Sequence, residues 1–257
     1  AYQTRLFDRQ GSRISLTEAG KLLLEHCERI LEDYKRLEYE MHLLHNEYTG
    51  GLKLGASTTV AQYVLPPLLA SFIGKFPHVN LSLLNGNSRE IEAALQEHRI
   101  DLGFVEGVFR LPNIKYTTFL KDELVAVVRT GSKLAIGEEI TPEELLHLPL
   151  VLRERGSGTL DVFERALQQH NIKLSSLQVL MYLGSTESIK LFLEHTDCLG
   201  IVSIRSITRE LYSGQLRVVE IKDMPMLRDF SFAQPQGQES GLAQVFMQFA
   251  MHYNNKL

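Results

Sequence analysis

The segment LKLGAS (Leu52–Ser57) sets the pattern for most of the chain. Its apolar run predicts a buried strand, and the residues from Thr58 onward predict a helix in which Pro66-Pro67 forms a kink or the first turn. The alternation continues with a strand, a helix and a strand at Val79–Gly86, Ser88–Gln96 and Asp101–Gly107. Strands that alternate with helices predict a parallel sheet with helices on both faces.

The alternation is interrupted once and then resumes. Ile114–Phe119 and Glu123–Arg129 predict two strands with no helix between them. From Thr141 the pattern restarts with a short helix, and strands and helices then alternate up to a final helix over Ser240–Tyr253. The interruption favours two similar lobes with a cleft between them. One large α/β domain is the alternative.

Composition limits the class of protein. The net charge of -4 excludes a globally basic protein that coats nucleic acid, although a local basic patch remains compatible with it. No apolar run approaches the roughly 20 residues of a membrane span, so we expect no membrane partner. Cys27 and Cys198 are too few for a disulfide framework and indicate a reducing compartment, the cytoplasm. Neither cysteine has metal-ligand neighbours at zinc spacing, so no metal site or cofactor is expected.

A long helix precedes the first strand. From Thr17 to Tyr48 apolar residues alternate at spacings of four and three, and the other faces are strongly charged. Gly50-Gly51 ends the pattern. Such a narrow stripe is typical of a helix–helix dimer seam, although packing on the helix's own domain would also use it. The expected seam consists of Leu23, Cys27, Ile30, Tyr34, Leu37, Met41 and Leu44.

A short basic segment opens the chain. Arg5–Arg9 and Arg13–Leu16 predict two strands of a hairpin joined by Gln10-Gly11-Ser12. Arginine side chains on a hairpin suit phosphates or a narrow minor groove, although solvated surface charge is the simpler interpretation of these residues alone. A hairpin of this size is too small to be stable by itself, so we expect that the sequence is truncated or that its earlier part is not represented in it.

Two blocks in this segment carry a resemblance to a known family. Leu6-Phe7-Asp8-Arg9 and Leu16-Thr17-Glu18-Ala19-Gly20 resemble the wing of the winged helix-turn-helix in LysR-type transcriptional regulators. The resemblance implies that residues 1–17 are the remnant of a DNA-binding domain without its base-reading helix. It also implies a linker and dimerisation helix at residues 18–50. The expected DNA-contacting residues are Arg5, Arg9, Ser12, Arg13 and Thr17.

The same resemblance implies a fold for the remainder. Residues 51–257 would form a two-lobed α/β effector-binding domain shaped like periplasmic solute-binding proteins, with the chain crossing twice between lobes. On that arrangement lobe one spans about residues 52–128 and 227–257, and lobe two spans about 129–226. The family assembles as dimers or as dimers of dimers, and the sequence supports only the dimer seam.

Hydroxyl-bearing residues follow several predicted strands. In open α/β sheets ligands sit beyond the carboxyl ends of strands, where free N–H groups at helix starts favour a small anion. Each such serine or threonine is by itself an ordinary helix cap. The stretch RERGSGT (Arg153–Thr159) also resembles a stretch of some LysR-type effector domains. The expected effector-binding residues are Ser57, Thr58, Thr59, Glu106, Arg153, Gly156, Ser157, Thr159, Ser185, Thr186 and Ser203.

Three classes of function compete. The first is a homodimeric or homotetrameric transcription regulator that binds promoter DNA and senses a small anion of sulfur metabolism or an organic acid. The second is a solute-binding protein for transport, which predicts no heptad helix. The third is an enzyme, but no G-x-S-x-G, His-Glu-x-x-His or Walker A pattern occurs. Gly156-Ser157-Gly158 is a near miss for a nucleophile elbow without a convincing base. We therefore expect a regulator without catalytic residues.

Overall fold

The computed structural model describes residues 4–10, 13–44, 48–107, 110–134, 136–237 and 241–254. The chain forms two compact units, Ala1–Tyr48 and Thr49–Leu257. No helix within the described ranges is both long and apolar enough to cross a membrane.

The first unit consists of a hairpin followed by one long helix. Strands β1 (Phe7–Gln10) and β2 (Arg13–Leu16) pair antiparallel, and α1 spans Glu18–Leu44. The Thr17 hydroxyl accepts the N–H of Gly20 at 3.0 Å and donates to the carbonyl of Arg5 at 2.7 Å, so it caps α1 and ties it to the start of the hairpin. The predicted end of the helix, residues 45–47, lies outside the described residues.

The second unit is built on one mixed sheet. Its strands are β3 (Gly50–Ser57), β4 (Val79–Gly86), β5 (Leu102–Glu106), β6 (Ile114–Arg129), β7 (Glu139–Ile140), β8 (Pro149–Arg153), β9 (Gln178–Leu183), β10 (Leu199–Ser203), β11 (Leu216–Ile221) and β12 (Met226–Pro235). They follow the order β4-β3-β5-β12-β6-β10-β8-β9, and β11 pairs with β6 and β7. The predicted parallel pairs are present within each end of the sheet, whereas β6 and β12 pair antiparallel with their neighbours.

Helices cover this sheet. They are α2 (Thr58–Tyr63), α3 (Leu65–Lys75), α4 (Ser88–Gln96), α5 (Gly158–Gln169), α6 (Thr186–His195), α7 (Thr208–Tyr212) and α8 (Leu242–Asn254). We call β3–β5 with α2–α4 and α8 the first half, and β8–β11 with α5–α7 the second half. The antiparallel strands β6 and β12 run through both.

The structure corrects the prediction of two strands at Ile114–Phe119 and Glu123–Arg129. One continuous 16-residue strand, β6, covers both, because the intervening Leu120 and Asp122 remain paired with Phe230 and Arg228 of β12. The polar residues between the two apolar runs therefore do not mark a turn. They mark the part of the strand that passes between the two halves.

The expected boundary of lobe one, at about residue 128, falls within β6, in the part of the strand that pairs with the second half. Leu124–Val127 already pair with β10, and Ala126–Arg129 pair with β11. Leu124, Ala126 and Val128 lie in the same apolar core as Phe163 and Leu167 of α5. The chain thus enters the second half before Leu124, because those alternate side chains complete the core of that half.

The single helix predicted from Thr58 is instead two helices. The chain breaks at Val64, and α3 then begins with Leu65, Pro66 and Pro67 in its first turn. A proline lacks the N–H that a helix interior needs but that the first turn leaves unused. This break sets α2 apart as a short helix whose buried start holds Thr58 and Thr59.

Each half has apolar layers on both faces of the sheet. In the first half Val105 packs with Ile91 of α4 on one face, and the Phe104 ring lies 6.0 Å from the Phe246 ring of α8 on the other. In the second half α5 covers one face, and α6 covers the other with Ile189 and Leu193. Because both faces are covered, polar side chains at the strand ends between the halves are buried as well.

Candidate functional site

The structure brings most of the expected effector-binding residues together. The carboxyl ends of β3, β5, β8 and β10 each contribute buried polar side chains where the two halves meet. The members of the expected set with buried polar side chains are Ser57, Thr58, Thr59, Glu106, Arg153, Ser157, Thr159, Thr186 and Ser203. Their convergence follows from the fold. The strands are parallel within each half, but the two sets of strands run in opposite directions alongside β6 and β12, so their carboxyl ends face each other.

One contact joins the start of α2 to the end of β8. Arg153 Nη2 donates to the Thr58 hydroxyl at 3.3 Å, and Arg153 is 1% exposed. The neighbouring Glu154 accepts from Nε and Nη2 of the same guanidinium at 2.8 and 3.0 Å. Arg153 Nη1 and Ser57 Oγ are buried, and neither has a hydrogen-bond partner among the described residues. The two unpaired atoms therefore belong to Ser57, which precedes Thr58, and to Arg153, whose guanidinium contacts Thr58.

A second group of contacts surrounds Glu106 at the end of β5. Its Oε1 atom accepts from the hydroxyls of Thr59 at 3.3 Å and Thr159 at 3.5 Å. Its Oε2 atom lies 3.1 Å from Arg228 Nη1, and both side chains are buried. Thr59 belongs to the first half and Thr159 to the second, so the Glu106 carboxylate bridges the two halves.

Arg228 and Asp122 are functional candidates that sequence reasoning missed. They are cross-strand partners on β12 and β6, and Arg228 Nε donates to Asp122 Oδ2 at 2.7 Å with both side chains buried. Arg228 Nη1 also donates to the Thr159 hydroxyl at 3.0 Å, and Ser203 donates to Asp122 Oδ1 at 2.7 Å. Arg228, on one of the two strands that run through both halves, therefore contacts the other strand at Asp122, the first half at Glu106 and the second half at Thr159.

A sequence signal for both residues existed. Along β12 the side chains of Met226, Arg228 and Phe230 alternate inward, and along β6 Asp122 is in phase with Leu124. A charged residue at an inward position of a strand predicts a buried charge that needs a partner.

The start of α5 packs against the end of β5 without side chains between them. A Cβ atom on Gly158 would lie 2.2 Å from the carbonyl oxygen of Glu106, so only glycine fits there. Gly156 has a φ of +93°, and its carbonyl accepts the N–H of Arg89 at 3.3 Å. These two glycines of the RERGSGT stretch allow close approach of the halves, and we see this as their physical role.

Two expected site residues have their hydroxyls engaged as helix caps. Ser157 accepts the N–H of Leu160 at 3.2 Å, and Ser185 accepts the N–H of Ser188 at 3.1 Å. Ser185 is only partly buried. Thr186 is buried in the first turn of α6. The capping bonds account for Ser157 and Ser185 without a ligand.

A second bridge between the halves was also missed. The Tyr63 hydroxyl of α2 hydrogen-bonds to Glu187 of α6. Burial and this hydrogen bond raise the pKa of Tyr63. Lys190 lies 2.8 Å from Glu187 and 2.7 Å from Glu210, and its ammonium is 5.3 Å from the centre of the Tyr63 ring. This group links α2 of the first half to α6 and α7 of the second half.

Two surface cavities lie away from this buried network. One of about 470 Å³ is lined by β6, β11 and the start of β12, and another of about 280 Å³ is lined by residues around Leu95 and Pro235. Neither contains a residue of the expected effector-binding set. We place the candidate site at the buried network because that is where charged groups from both halves meet.

The first unit holds the residues expected to contact DNA. Arg5 and Arg9 are exposed at the hairpin, and Thr17 is engaged as the cap of α1. Ser12 lies outside the described residues, as does the side chain of Arg13.

Most of the expected seam of α1 is exposed. Ile30, Tyr34, Leu37 and Met41 are each more than half exposed. Cys27 is exposed, Leu23 is partly buried, and the side chain of Leu44 lies outside the described part of the chain.

Comparison with known proteins gives consistent results. The family model described as the LysR substrate binding domain matches residues 45–254. The chain is 34% identical over 217 residues to the uncharacterized HTH-type transcriptional regulator YeiE of Escherichia coli strain K12, covering 84% of this chain and 71% of that protein. It is 30% identical over 247 residues to a probable RuBisCO transcriptional regulator of Cyanidioschyzon merolae, covering 95% and 82% of the two chains. The CcmR regulatory domain of Synechocystis PCC6803, solved in complex with 2-PG, superposes with a TM-score of 0.73 at 27% identity over 81% of this chain and 99% of that chain.

Proposed function

The chain belongs to the LysR family of DNA-binding transcription regulators, and we propose that it changes its binding to promoter DNA when a small anion occupies the site between the two halves. The anion would be an inorganic oxyanion or an organic acid. Residues 1–17 would contact DNA, residues 18–50 would form the dimerisation helix, and residues 51–257 would sense the effector. As a regulator of promoters it would act in the cytoplasm.

The observation that carries the proposed anion is the pair of buried, unpaired polar atoms beside Thr58. Arg153 Nη1 and Ser57 Oγ have no hydrogen-bond partner among the described residues. A buried N–H or O–H without a partner costs about 1–3 kcal/mol, and more when it is charged. An oxyanion would satisfy both atoms with charge-assisted hydrogen bonds. The CcmR regulatory domain, solved with 2-PG, supports a small ligand in a domain of this fold.

The proposed coupling acts through the relative position of the halves. Arg153 belongs to the second half, and Ser57 belongs to the first. An anion held by both would stabilise one arrangement of the halves over others. In a dimer that change would reposition the DNA-binding segments, which is the differential effect that allosteric control requires.

We test the anion site with a matched pair of arginine variants. Arg153→Met removes the buried guanidinium, whereas Arg155→Met removes an exposed one two residues away. Sodium sulfate, with sodium chloride at equal ionic strength as reference, should raise the melting temperature of the wild type and of Arg155→Met by more than that of Arg153→Met, which keeps only the general stabilisation that sulfate gives a folded protein. Equal stabilisation of all three proteins by sulfate would contradict a site at Arg153.

The DNA contact is tested by fluorescence anisotropy. A duplex selected from a random library by the wild-type protein would be titrated at two salt concentrations. Arg9→Ala should lower affinity for all duplexes alike and reduce the salt slope by about one, as expected for a lost phosphate contact. Lys21→Ala, which removes a cation paired with Glu18 on α1, should leave the slope unchanged.

The alternatives are less well supported. The curated relatives are transcription regulators, and the exposed seam of α1 has no role in a transport protein. The family consists of regulators rather than enzymes, and we propose that this chain has no catalytic residues. Ser157, the serine of the Gly156-Ser157-Gly158 segment that partly resembles a nucleophile elbow, caps α5 by accepting the N–H of Leu160.

A further inference from the structure

A buried carboxylate of the chain itself, that of Glu106, lies where residues of both halves meet. We propose, on the basis of the proposed function, that Glu106 fills one of two anion positions in the site and thereby restricts the effector to a single anionic group. A molecule with two separated acidic groups is rejected. The second polar group of an accepted effector, if it has one, is neutral.

The filled position has the donors that a bound carboxylate would use. Hydroxyls from both halves, Thr59 at 3.3 Å and Thr159 at 3.5 Å, donate to Glu106 Oε1. Arg228 Nη1 lies 3.1 Å from Oε2 as an ion pair, although Oε2 accepts no hydrogen bond among the described residues. Glu106 is 4% exposed. Because its side chain is tethered to β5, a free anion competes for these donors against a group of very high effective concentration.

The charges around this position oppose a second anion. Glu106 and Asp122 are both buried and share Arg228 as their buried cation, so this group carries a net charge of -1. Arg205 lies 3.7 Å from Asp122 but is 42% exposed, which leaves its charge screened by solvent. Another anion at this end would face like charges in a poorly solvated place. Arg228 Nη2, which has no hydrogen-bond partner among the described residues, can still donate a hydrogen bond to a hydroxyl or carbonyl oxygen.

We assign the open position to Arg153 and Ser57, whose unpaired atoms lie at the end of β8 and at the junction of β3 and α2. Arg153 contacts Thr58, and Glu106 contacts Thr59. The Arg153 guanidinium thus contacts Thr58, the residue after Ser57, whose hydroxyl has no hydrogen-bond partner among the described residues, whereas the Arg228 guanidinium pairs with Glu106. An effector with one anionic group at Arg153 and a neutral polar group toward Glu106 would provide hydrogen-bond partners for Arg153 Nη1 and Ser57 Oγ and for Arg228 Nη2.

The test compares acids that differ by one carboxylate. The pairs are acetate and oxalate, propionate and malonate, and butyrate and succinate, with inorganic sulfate as a compact single anion. Isothermal titration calorimetry on the wild-type chain should give tighter binding for the single-headed member of a pair, by about tenfold. Tighter binding of the dicarboxylate in every pair that binds would overturn the proposal. This comparison needs no variant.

Glu106→Gln gives the second arm, with the exposed Glu97→Gln as the matched control. Removing the Glu106 charge should shift the preference toward dicarboxylates by about tenfold, and the control should keep the wild-type preference. An unchanged preference in Glu106→Gln would show that this carboxylate does not select the effector. If neither sulfate nor any of the acids binds the wild type, the anion site itself is wrong and this proposal falls with it. If they bind and the preference is reversed, only this proposal fails.

Discussion

Replacing Arg228 with methionine tests the buried ionic network most directly. The Arg228 side chain is fully buried and lies 2.7 Å from Asp122 and 3.1 Å from Glu106. Methionine retains much of the apolar stem but supplies no donor. Arg228→Met therefore leaves two buried carboxylates without their shared cation, and it removes the 3.0 Å hydrogen bond to Thr159.

The expected loss of stability is large. Removing one partner of a buried ion pair costs about 3–5 kcal/mol, because the remaining charge is left uncompensated. For a domain of roughly 150–250 residues each kcal/mol lowers the melting temperature by about 2–4 °C, so the melting temperature should fall by about 6–20 °C. Differential scanning calorimetry measures the fall. Arg99→Met is the control, since Arg99 forms an exposed pair with Glu97 that should contribute about 1 kcal/mol or less.

The second measurement is a double-mutant cycle. Asp122→Asn removes one of the two charges that Arg228→Met leaves unpaired, so the double variant should be more stable than the sum of the single effects predicts. The reasoning is refuted if Arg228→Met costs no more than Arg99→Met, or if the two substitutions at Arg228 and Asp122 are simply additive.

Three further predictions concern other parts of the chain. Leu37→Asp should convert the dimer to a monomer by light scattering, whereas Arg29→Asp, off the apolar stripe, should not; an unchanged mass for Leu37→Asp would refute the seam. Burial raises the pKa of Cys198 to about 11, so in a Cys27→Ser background Ellman's reagent should label this thiol only after denaturation, and rapid labelling of the native protein would contradict its burial. Burial raises the pKa of Glu92 above its usual 4.5, which disfavours the charged form in the folded state and destabilises the protein at neutral pH. Glu92→Gln should therefore resist urea better than the wild type at pH 7, and this advantage should vanish below pH 4.5; an advantage that persists in acid would refute the cause.

The sequence determined the features that depend on local pattern. The alternation of apolar strands and amphipathic helices predicted the α/β class, and the helix cap at Thr17 and the narrow stripe on α1 were visible in the spacing of residues. The two blocks around Arg9 and Thr17 indicated the LysR family, which the family match confirms. The serine and threonine residues that directly follow predicted strands indicated where the candidate site lies, because the end of a strand can be recognised from the local sequence.

Only the tertiary structure decided which of these residues meet and which charges balance. Asp122 and Arg228 are 106 positions apart and become partners because β6 and β12 pair in one particular register. That register also carries Arg228 to Glu106 and Thr159, and it makes the interval between two predicted strands part of a single strand. The sequence pattern shows that a buried charge must have a partner, but the partner is set by strand order and register, which long-range packing selects.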